Sequence, residues 1–500
     1  MIRVIVLITC LVSPFLQAFC QQTSVEYAES ILAEDLRRHL TYIASDELEG
    51  RDTGSEGQRK AADYIANHFK SLGLTAIVPQ KDGSKGYLQK FNLYKNGWQD
   101  AYIKIGDGKR LHFKEFFPNG LVNIPAETTS DLLFIENPSD IGANISGKGV
   151  LLFESDDKET TKKNAEAAFE AGATTVFSIS NADENKFKTL AAERQSVLSR
   201  YNRMRLEATE NPLQPSKNPS FIVSTSLAAD MLGVSERKLM KAKDGKKNLK
   251  SSTVTLKSER GDELVETMNV MGFMEGTDKK DEVVVITAHY DHVGIDKNGE
   301  IYNGADDDGS GTCGILELAE AFAKAKAAGN GPRRSILFMT VTGEEKGLLG
   351  SRYFTDVDPI IPLKQIVCDL NIDMIGRVDK EHADNDQYVY VIGSDKLSSE
   401  LHAISEKANS DYINFDLDYT FNDPDDPNRF YYRSDHYNFA KNKIPVIFYF
   451  TGVHEDYHRP GDDVEKILFP KYQQIVRLVF HTAWDLSNRN DRIVVDSNKK

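Results

Sequence analysis

Apolar positions recur along this chain with two periods, one typical of helices and one typical of buried strands. Between residues 33 and 72 they return every three or four positions, which predicts two helices joined by a turn-rich link at 45–54. Gly73 predicts the end of the second helix, because glycine tolerates the left-handed conformation in which helices often stop. An apolar run at 87–94 then predicts a strand.

From residue 268 onward, short continuous apolar runs alternate with helical patterns. Runs of this kind are typical of strands that are buried on both faces of a parallel or mixed sheet. The predicted strands are 283–287, 335–342, 366–372, 388–392 and 445–450, and the predicted helices are 315–328 and 472–484. Strands that alternate with helices indicate an α/β fold in which a mixed sheet lies between two layers of helices.

The pattern between residues 100 and 258 is different. Shorter strands at 149–153 and 174–179 flank a helix at 165–171, and this stretch holds no cluster of catalytic residue types. A chain of 500 residues is also longer than one compact core usually is. We therefore predict one domain formed by 21–99 and 259–500, with a smaller α/β domain inserted at 100–258.

The N-terminus has the pattern of a secretory signal peptide. A short basic start precedes an apolar stretch, and the small residues Ala18 and Cys20 suit cleavage before Gln21. No later apolar run reaches the about 18 residues that a transmembrane helix needs. We expect a signal peptide at 1–20 and an exported protein, periplasmic or extracellular. Lipid attachment at Cys20 is the alternative, which Phe19 disfavours.

Composition narrows the range of partners. The formal net charge of −15 argues against nucleic acid or an anionic membrane surface as the main partner, and nothing in the composition points to a particular oligomeric state. Outside the signal peptide, Cys313 and Cys368 lie in apolar surroundings. Two buried thiols and one disulfide are both compatible with that setting.

Three of the predicted strands are each followed by side chains that commonly bind metals. In chain order these residues are His289 and Asp291, Glu344 and Glu345, and Asp373. In open α/β sheets, ligands bind beyond the carboxyl ends of the strands, so we expect these side chains to meet at one edge. Carboxylates brought so close together repel one another unless a cation lies among them.

Two further polar segments complete the set. They are the acidic turn around Asp307, which glycines flank, and the pair Tyr457-His458. Imidazole nitrogen and carboxylate oxygen bind zinc at about 2.0–2.2 Å, and paired metals about 3.5–4 Å apart share a bridging carboxylate, for which Asp307 is suited. Three consecutive aspartates lack the spacing of a calcium loop. Each segment alone is typical of a solvated turn, but the ordered set from His289 to His458 predicts a two-zinc hydrolase.

The ordered set resembles the co-catalytic zinc aminopeptidases of clan MH, a group that includes secreted bacterial leucyl aminopeptidases and glutamate carboxypeptidase-like enzymes. The resemblance covers roughly 33–95 and 268–490, and it is strongest at 269–276 and 288–291. The insert 100–258 resembles the protease-associated (PA) domain of several such enzymes. The resemblance implies the α/β/α sandwich of zinc peptidases, two Zn²⁺ ions per chain and peptide substrates.

The resemblance also implies a role for each residue of the set. His289 and Asp373 bind one zinc ion, Glu345 and His458 bind the second, and Asp307 bridges the two. Glu344 is the unligated general base, Asp291 orients His289, and Tyr457 assists the oxyanion, as it does in some relatives.

The other histidines receive different expectations. His454 lies in the same loop as His458, and His458 is preferred because Asp462 and Asp463 follow it as in the family pattern. The remaining candidates are expected to be structural or at the surface; they are His292, His436 and His481.

An aminopeptidase is the activity that the resemblance implies, because the closest motif resemblance is to aminopeptidases; a free α-amino group would also suit a site dense in carboxylates. A carboxypeptidase or dipeptidase of the same family is the alternative, and its basic group would be one of Arg352, Arg377, Arg433 and Arg459. A one-zinc glutaminyl cyclase-like enzyme ranks lower, since related cyclases depart from the full ligand set. A non-catalytic binding module would lack ligands, and this chain keeps them all.

Overall fold

The chain is seen here as a computed structural model that describes residues 24–199, 203–208, 214–243 and 252–496. The expected signal peptide at 1–20 lies outside these residues. Within the described ranges, no helix is long and apolar enough to cross a membrane. By their contacts the residues form two compact units, Met1–Asn92 with Glu266–Lys500 and Leu93–Val265.

Strands and helices are numbered in chain order. The strands are β1 Val78–Pro79, β2 Lys85–Gly86, β3 Leu88–Ile105, β4 Gly108–Leu111, β5 Phe116–Pro118, β6 Ile124–Phe134, β7 Gly149–Phe153, β8 Thr175–Ile179, β9 Met204–Arg205, β10 Ser220–Val223, β11 Ser252–Met274, β12 Lys279–His289, β13 Gly294–Ile295, β14 Ile301–Tyr302, β15 Arg334–Val341, β16 Ile366–Ile372, β17 Tyr388–Ile392, β18 Asp416–Asp418 and β19 Val446–Phe450. The helices are α1 Ala33–Ile43, α2 Glu56–Ser71, α3 Lys158–Glu170, α4 Glu184–Ser199, α5 Thr225–Met231, α6 Glu236–Lys243, α7 Gly311–Ala327, α8 Leu349–Arg352, α9 Ser399–Ala408, α10 His436–Ala440 and α11 Phe469–Asn488.

The larger unit is built on a mixed sheet with the strand order β18-β17-β19-β16-β12-β15-β11. Its centre is parallel, since β15, β12, β16 and β19 all run in the same direction. Strands β11 and β17 run antiparallel to their neighbours β15 and β19. The mixed sheet predicted from the apolar runs is therefore confirmed.

Helical layers cover both faces of this sheet. On one face Val284 and Ile286 of β12 join a core with Leu36, Phe322 and Phe480, from α1, α7 and α11. On the other face the alternate β12 side chains pack with residues of α10 and of the segment after α8. Burial on both sides explains why β12 is continuously apolar, and the predicted α/β/α sandwich is confirmed.

The smaller unit is an α/β structure with its own core. Strands β6, β7, β8 and β10 are parallel neighbours, and β5 closes one edge antiparallel to β10. Its core includes Leu132, Leu151, Phe177 and Phe221. That this unit is a PA domain remains a prediction from the resemblance.

The chain passes between the units within β3 and β11. The contacts divide the chain after Asn92 and after Val265, whereas the sequence suggested boundaries after 99 and after 258. Because both strands run on through these points, no turn or change of composition marks the division.

Candidate metal centre at the carboxyl ends of the strands

The predicted site residues meet at one edge of the larger unit's sheet. His289 ends β12, Asp373 follows β16, and the pair Glu344-Glu345 follows β15. The segment after β19, the next parallel strand, carries His458. Parallel strands that lie side by side thus deliver ligand-type side chains from distant parts of the sequence to one place.

These side chains form two clusters that share Asp307. In the first, His289 Nε2 lies 3.4 Å from Asp307 Oδ1 and 3.6 Å from Asp373 Oδ1. In the second, His458 Nε2 lies 3.1 Å from both Asp307 Oδ2 and Glu345 Oε2. The two oxygens of a single carboxylate therefore face two different ligand sets.

The spacing and burial fit a divalent cation in each cluster. Ligand atoms about 2.0–2.2 Å from a tetrahedral zinc ion lie about 3.3–3.6 Å from each other, close to the observed distances. The buried oxygens Asp307 Oδ2 and Glu345 Oε1 lie 3.1 Å from His458 Nε2 and 3.0 Å from His292 Nδ1, but neither accepts a hydrogen bond from the described part of the chain. Buried carboxylates without a partner are strongly unfavourable, so a cation among them is the natural compensation.

Hydrogen bonds to Asp462 hold the turn that carries Asp307. The carboxylate of Asp462 accepts hydrogen bonds from the backbone N–H groups of Asp306 and Asp307, at 3.0–3.1 Å. Gly304 begins the turn with φ +56°, and a Cβ there would lie 2.3 Å from the carbonyl of Asp307 and 2.6 Å from the ring of His292. Only glycine allows this close approach. The turn runs directly into α7, which therefore begins at Gly311 and not at the predicted 315.

Hydrogen bonds also hold the other ligands. Asp308 accepts from the N–H groups of His289, Gly311 and Met374, which ties the ends of β12 and β16 to the acidic turn. Ser434 donates to Asp373 Oδ2 at 2.7 Å. The ligand geometry is thus set by polar contacts outside the clusters themselves.

Asp291 contacts its neighbours in a different way from the one expected. His289 Nδ1 lies 3.0 Å from the main-chain carbonyl oxygen of Asp291. The Asp291 carboxylate instead accepts from the Thr53 hydroxyl at 2.7 Å and from the Glu344 N–H at 3.2 Å. The expectation that this carboxylate orients His289 is corrected: the main-chain carbonyl of Asp291 faces the imidazole, and its carboxylate faces Thr53 and the loop that carries Glu344.

Glu344 faces an open pocket beside the first cluster. Its carboxylate lies 3.9 Å from His289 Nε2, farther away than Asp307 or Asp373. Burial raises the pKa of Glu344 well above its usual range, His289 opposes this, and Glu345 and Asp373 add to it. A carboxyl in this position can accept and return a proton.

Aromatic and aliphatic side chains form the rest of the pocket. Besides His289, Asp307, Glu344 and Asp373, the lining residues are Met374, Phe430, Arg433, Ser434, Phe448, Phe450, Val453 and Tyr457. The Tyr457 ring stacks on His458 with centroids 3.9 Å apart, and its hydroxyl lies 3.5 Å from Arg433 Nη2. Burial raises the pKa of Tyr457 above its ordinary value, so the hydroxyl keeps its proton and can donate a hydrogen bond.

The structure separates the two rival histidines of the last loop. His454 Nε2 lies 3.4 Å from Asp306 Oδ2 and 3.8 Å from Asp462 Oδ1, beneath the acidic turn. His458 is the one that reaches Asp307 and Glu345.

His292 lies in the second cluster, so its interpretation as a structural or surface residue is corrected. Its side chain is fully buried, with Nδ1 3.0 Å from Glu345 Oε1 and 3.7 Å from Asp307 Oδ2. The sequence feature that could have indicated this position is that His292 follows His289 by three residues, in the same segment. His436 stacks on Phe448 and His481 on Tyr412, and both are buried, as structural residues usually are.

Sequence reasoning missed Arg51, which lies in the link between α1 and α2. Its guanidinium is fully buried and donates to the carbonyl oxygens of Ile43, Tyr290, Asn303 and Gly304. Two of these carbonyls lead into the acidic turn, and a third precedes Asp291. One arginine therefore clamps the loops that deliver both clusters.

Comparison with known proteins agrees with this geometry. Residues 269–483 match the model of peptidase family M28. Over these residues the chain resembles that family. It is 29% identical over 223 residues to leucine aminopeptidase 2 of Arthroderma otae, which covers 40% of this chain and 41% of that protein. It is 28% identical over 227 residues to aminopeptidase YwaD of Bacillus subtilis, covering 44% of each. The chain thus spans less than half the length of these relatives.

A solved structure shares the fold. The zinc aminopeptidase BSAP from Bacillus subtilis matches with a TM-score of 0.50 and 21% identity, over 93% of this chain and 98% of that one. At 21% identity, this match supports a shared architecture alone.

The two cysteines outside the expected signal peptide are free. Both Cys313 and Cys368 are buried and unpaired in the part of the chain that the structure describes. The sequence left two buried thiols and one disulfide both open, and the structure has two buried thiols.

Proposed function

We propose that this protein is a zinc-dependent aminopeptidase that removes residues from the free N-termini of peptides at a centre of two metal ions. The observation that carries the proposal is the position of Asp307, whose two carboxylate oxygens face two separate sets of ligands. The family match over residues 269–483 and the names of the relatives support the same proposal.

Each metal would have its own ligands on this chain. His289 and Asp373 would hold one zinc ion, Glu345 and His458 the other, and Asp307 would contact both. When bound, the ions would polarise the scissile carbonyl and lower the pKa of the attacking water.

Two side chains would carry out the remaining steps. Glu344 would take a proton from the attacking water and return it to the nitrogen of the leaving amine. The Tyr457 hydroxyl would donate a hydrogen bond to the oxygen that becomes negative in the tetrahedral intermediate.

The pocket supports attack at the N-terminal end of a peptide. Its carboxylates would attract an α-ammonium group, while Phe430, Phe448 and Phe450 offer an apolar wall to the adjacent side chain. A carboxypeptidase or dipeptidase is the second candidate, because Arg433 also lines the pocket and could pair with a terminal carboxylate.

A comparison of free and blocked substrates tests the proposal. Leucine p-nitroanilide and its N-acetyl derivative are assayed with protein that was first stripped of metal and then titrated with zinc. Hydrolysis of the free compound should appear with zinc, and the acetylated compound should be a poor substrate. Equal cleavage of both, or release of C-terminal residues from unblocked peptides, would move the assignment to another peptidase type. Secretion by the N-terminal segment is part of the same proposal and is tested by fractionating cells that express the full chain.

A further inference from the structure

A second group of metal-type side chains lies apart from the catalytic residues, among α1, α2 and α7 of the larger unit. The ligand atoms of His39, His68 and Glu320 all lie within 4.8 Å of one another. Glu317 lies beside them, with Oε1 3.4 Å from His39 Nε2. We propose that this group, the three-helix cluster, is a third divalent-metal site that binds Zn²⁺ and fastens α1 and α2 to α7.

Helical spacing explains why these residues meet. Glu317 and Glu320 are three positions apart on α7, and Tyr64 and His68 are four positions apart on α2, so each pair shares a helix face. His39 projects between them from α1, and its ring lies 4.7 Å from that of His68, centroid to centroid.

The imidazoles are prepared in the way that metal ligands usually are. His39 Nδ1 lies 2.7 Å from the Tyr64 hydroxyl, which fixes the orientation of that ring. In both rings Nε2 is buried and has no hydrogen-bond partner among the described residues. Metal-binding histidines characteristically have one ring nitrogen fixed by a partner and the other directed to the ion.

Glu317 is the independent observation that points to a cation. Its side chain is only 1% exposed, and neither carboxylate oxygen has a hydrogen-bond partner in the ranges that the structure describes. Pairing with His39 alone would leave His68 Nε2 and one Glu317 oxygen unsatisfied. A cation held by His39, His68 and Glu320 would satisfy both imidazoles, and the Glu317 carboxylate beside His39 would balance its charge. Two imidazoles with a carboxylate are a typical zinc ligand set.

Glu320 offers the route of entry. Its side chain is 22% exposed, and one oxygen lies 2.8 Å from Lys324 Nζ, which leaves the other oxygen for a metal. The present separations, up to 4.8 Å, exceed those around a bound ion, so the partly exposed Glu320 would turn inward on binding.

Metal counting on the full-length chain tests the proposal. Wild type and variants are incubated with Zn²⁺, passed over a desalting column and analysed for zinc. Wild type should retain three ions per chain, and His68→Gln should retain two. Glu320→Gln, at a more exposed position, repeats the test should His68→Gln fail to fold. The matched control is His402→Gln, which removes a histidine from an exposed pair with Glu406 on α9 and should leave the count unchanged.

A variant that lacks two ligands of the catalytic site separates the third site from the catalytic one. In His289→Ala/His458→Ala protein one zinc ion should remain, and it should raise the melting temperature; adding His68→Gln should abolish both the ion and the shift. Should the proposed two-metal centre be wrong, the double variant would bind as much zinc as wild type, yet His68→Gln would still remove one ion. An unchanged zinc count in both His68→Gln and Glu320→Gln would overturn the third site.

Discussion

Replacing Arg51 by methionine should cost both stability and metal affinity. The guanidinium donates to four buried carbonyl oxygens, at 2.6 Å from Ile43, 2.8 Å from Tyr290, 2.6 Å from Asn303 and 2.9 Å from Gly304. Methionine keeps much of the packing but satisfies none of them, and each buried acceptor left without a partner costs about 1–3 kcal/mol.

The net loss is smaller than the sum over four acceptors. Removing a fully buried charge also removes its desolvation penalty, which is several kcal/mol. For Arg51→Met we therefore expect the free energy of unfolding to fall by about 3–5 kcal/mol, because four unsatisfied acceptors at about 1–3 kcal/mol each outweigh the desolvation penalty that is removed. Zinc affinity should fall as well, because the carbonyls of Tyr290 and Gly304 belong to the loops that carry Asp291 and Asp307.

Urea denaturation of metal-free protein gives the stability, and competition with a chelator gives the zinc affinity. Arg334→Met is the matched control. Arg334 is also fully buried, and it donates to the carbonyls of Leu486 and Arg489 and pairs with Glu282, in a region without metal ligands. It should lose stability but not zinc affinity. The reasoning is refuted if Arg51→Met costs no more than a surface change, about 0.5 kcal/mol, or if Arg334→Met weakens zinc binding equally.

Three further predictions concern individual side chains. Glu344→Gln should keep its zinc but lose about 10²–10⁴-fold in kcat, whereas Glu345→Gln should lose zinc. The opposite pattern in metal analysis would mean that Glu345 is the base and Glu344 the ligand. His292→Gln should weaken zinc binding about 10–100-fold and recover turnover at high zinc, which a titration of activity with zinc would show; unchanged affinity would contradict its place beside Glu345. Burial lowers the pKa of His436 to about 3, so the neutral ring is favoured in the folded state. The stability that comes from keeping this ring neutral is complete above pH 6.5 and is lost as the pH falls toward about 3. Between pH 7 and 5 the loss in the free energy of unfolding amounts to about 2 kcal/mol. Denaturation at both pH values should therefore show that His436→Phe loses less unfolding free energy between pH 7 and 5 than wild type does. An equal loss in the two proteins would contradict the prediction.

The sequence predicted the sheet well because its central strands are buried on both faces. Residues 366–372 and 388–392 were identified to the residue, since short segments rich in apolar and β-branched residues are typical of buried strands. The ends of β12 and α7 were placed less well. There the chain carries polar ligand residues, and these interrupt the apolar pattern although the strand or helix continues.

The ligands could be predicted because they follow strands that are adjacent in the sheet. Arg51 could not, because its partners are backbone carbonyls, which leave no trace in the side-chain pattern. His292 was misjudged for a related reason: whether a histidine near a metal site faces the cluster or the surface depends on the turn around Gly304, not on spacing alone. Asp291 shows the same limit, since spacing alone does not tell whether its carbonyl or its carboxylate faces His289.

Anomalous diffraction at the zinc edge, from crystals grown with zinc, tests the central claim most directly. The account predicts two peaks about 3.5–4 Å apart, one on each side of the Asp307 carboxylate, the first beside His289 and Asp373 and the second beside Glu345 and His458. A peak among α1, α2 and α7 would bear on the third site alone. A single peak at the strand ends, or two that do not share Asp307, would contradict the two-metal centre.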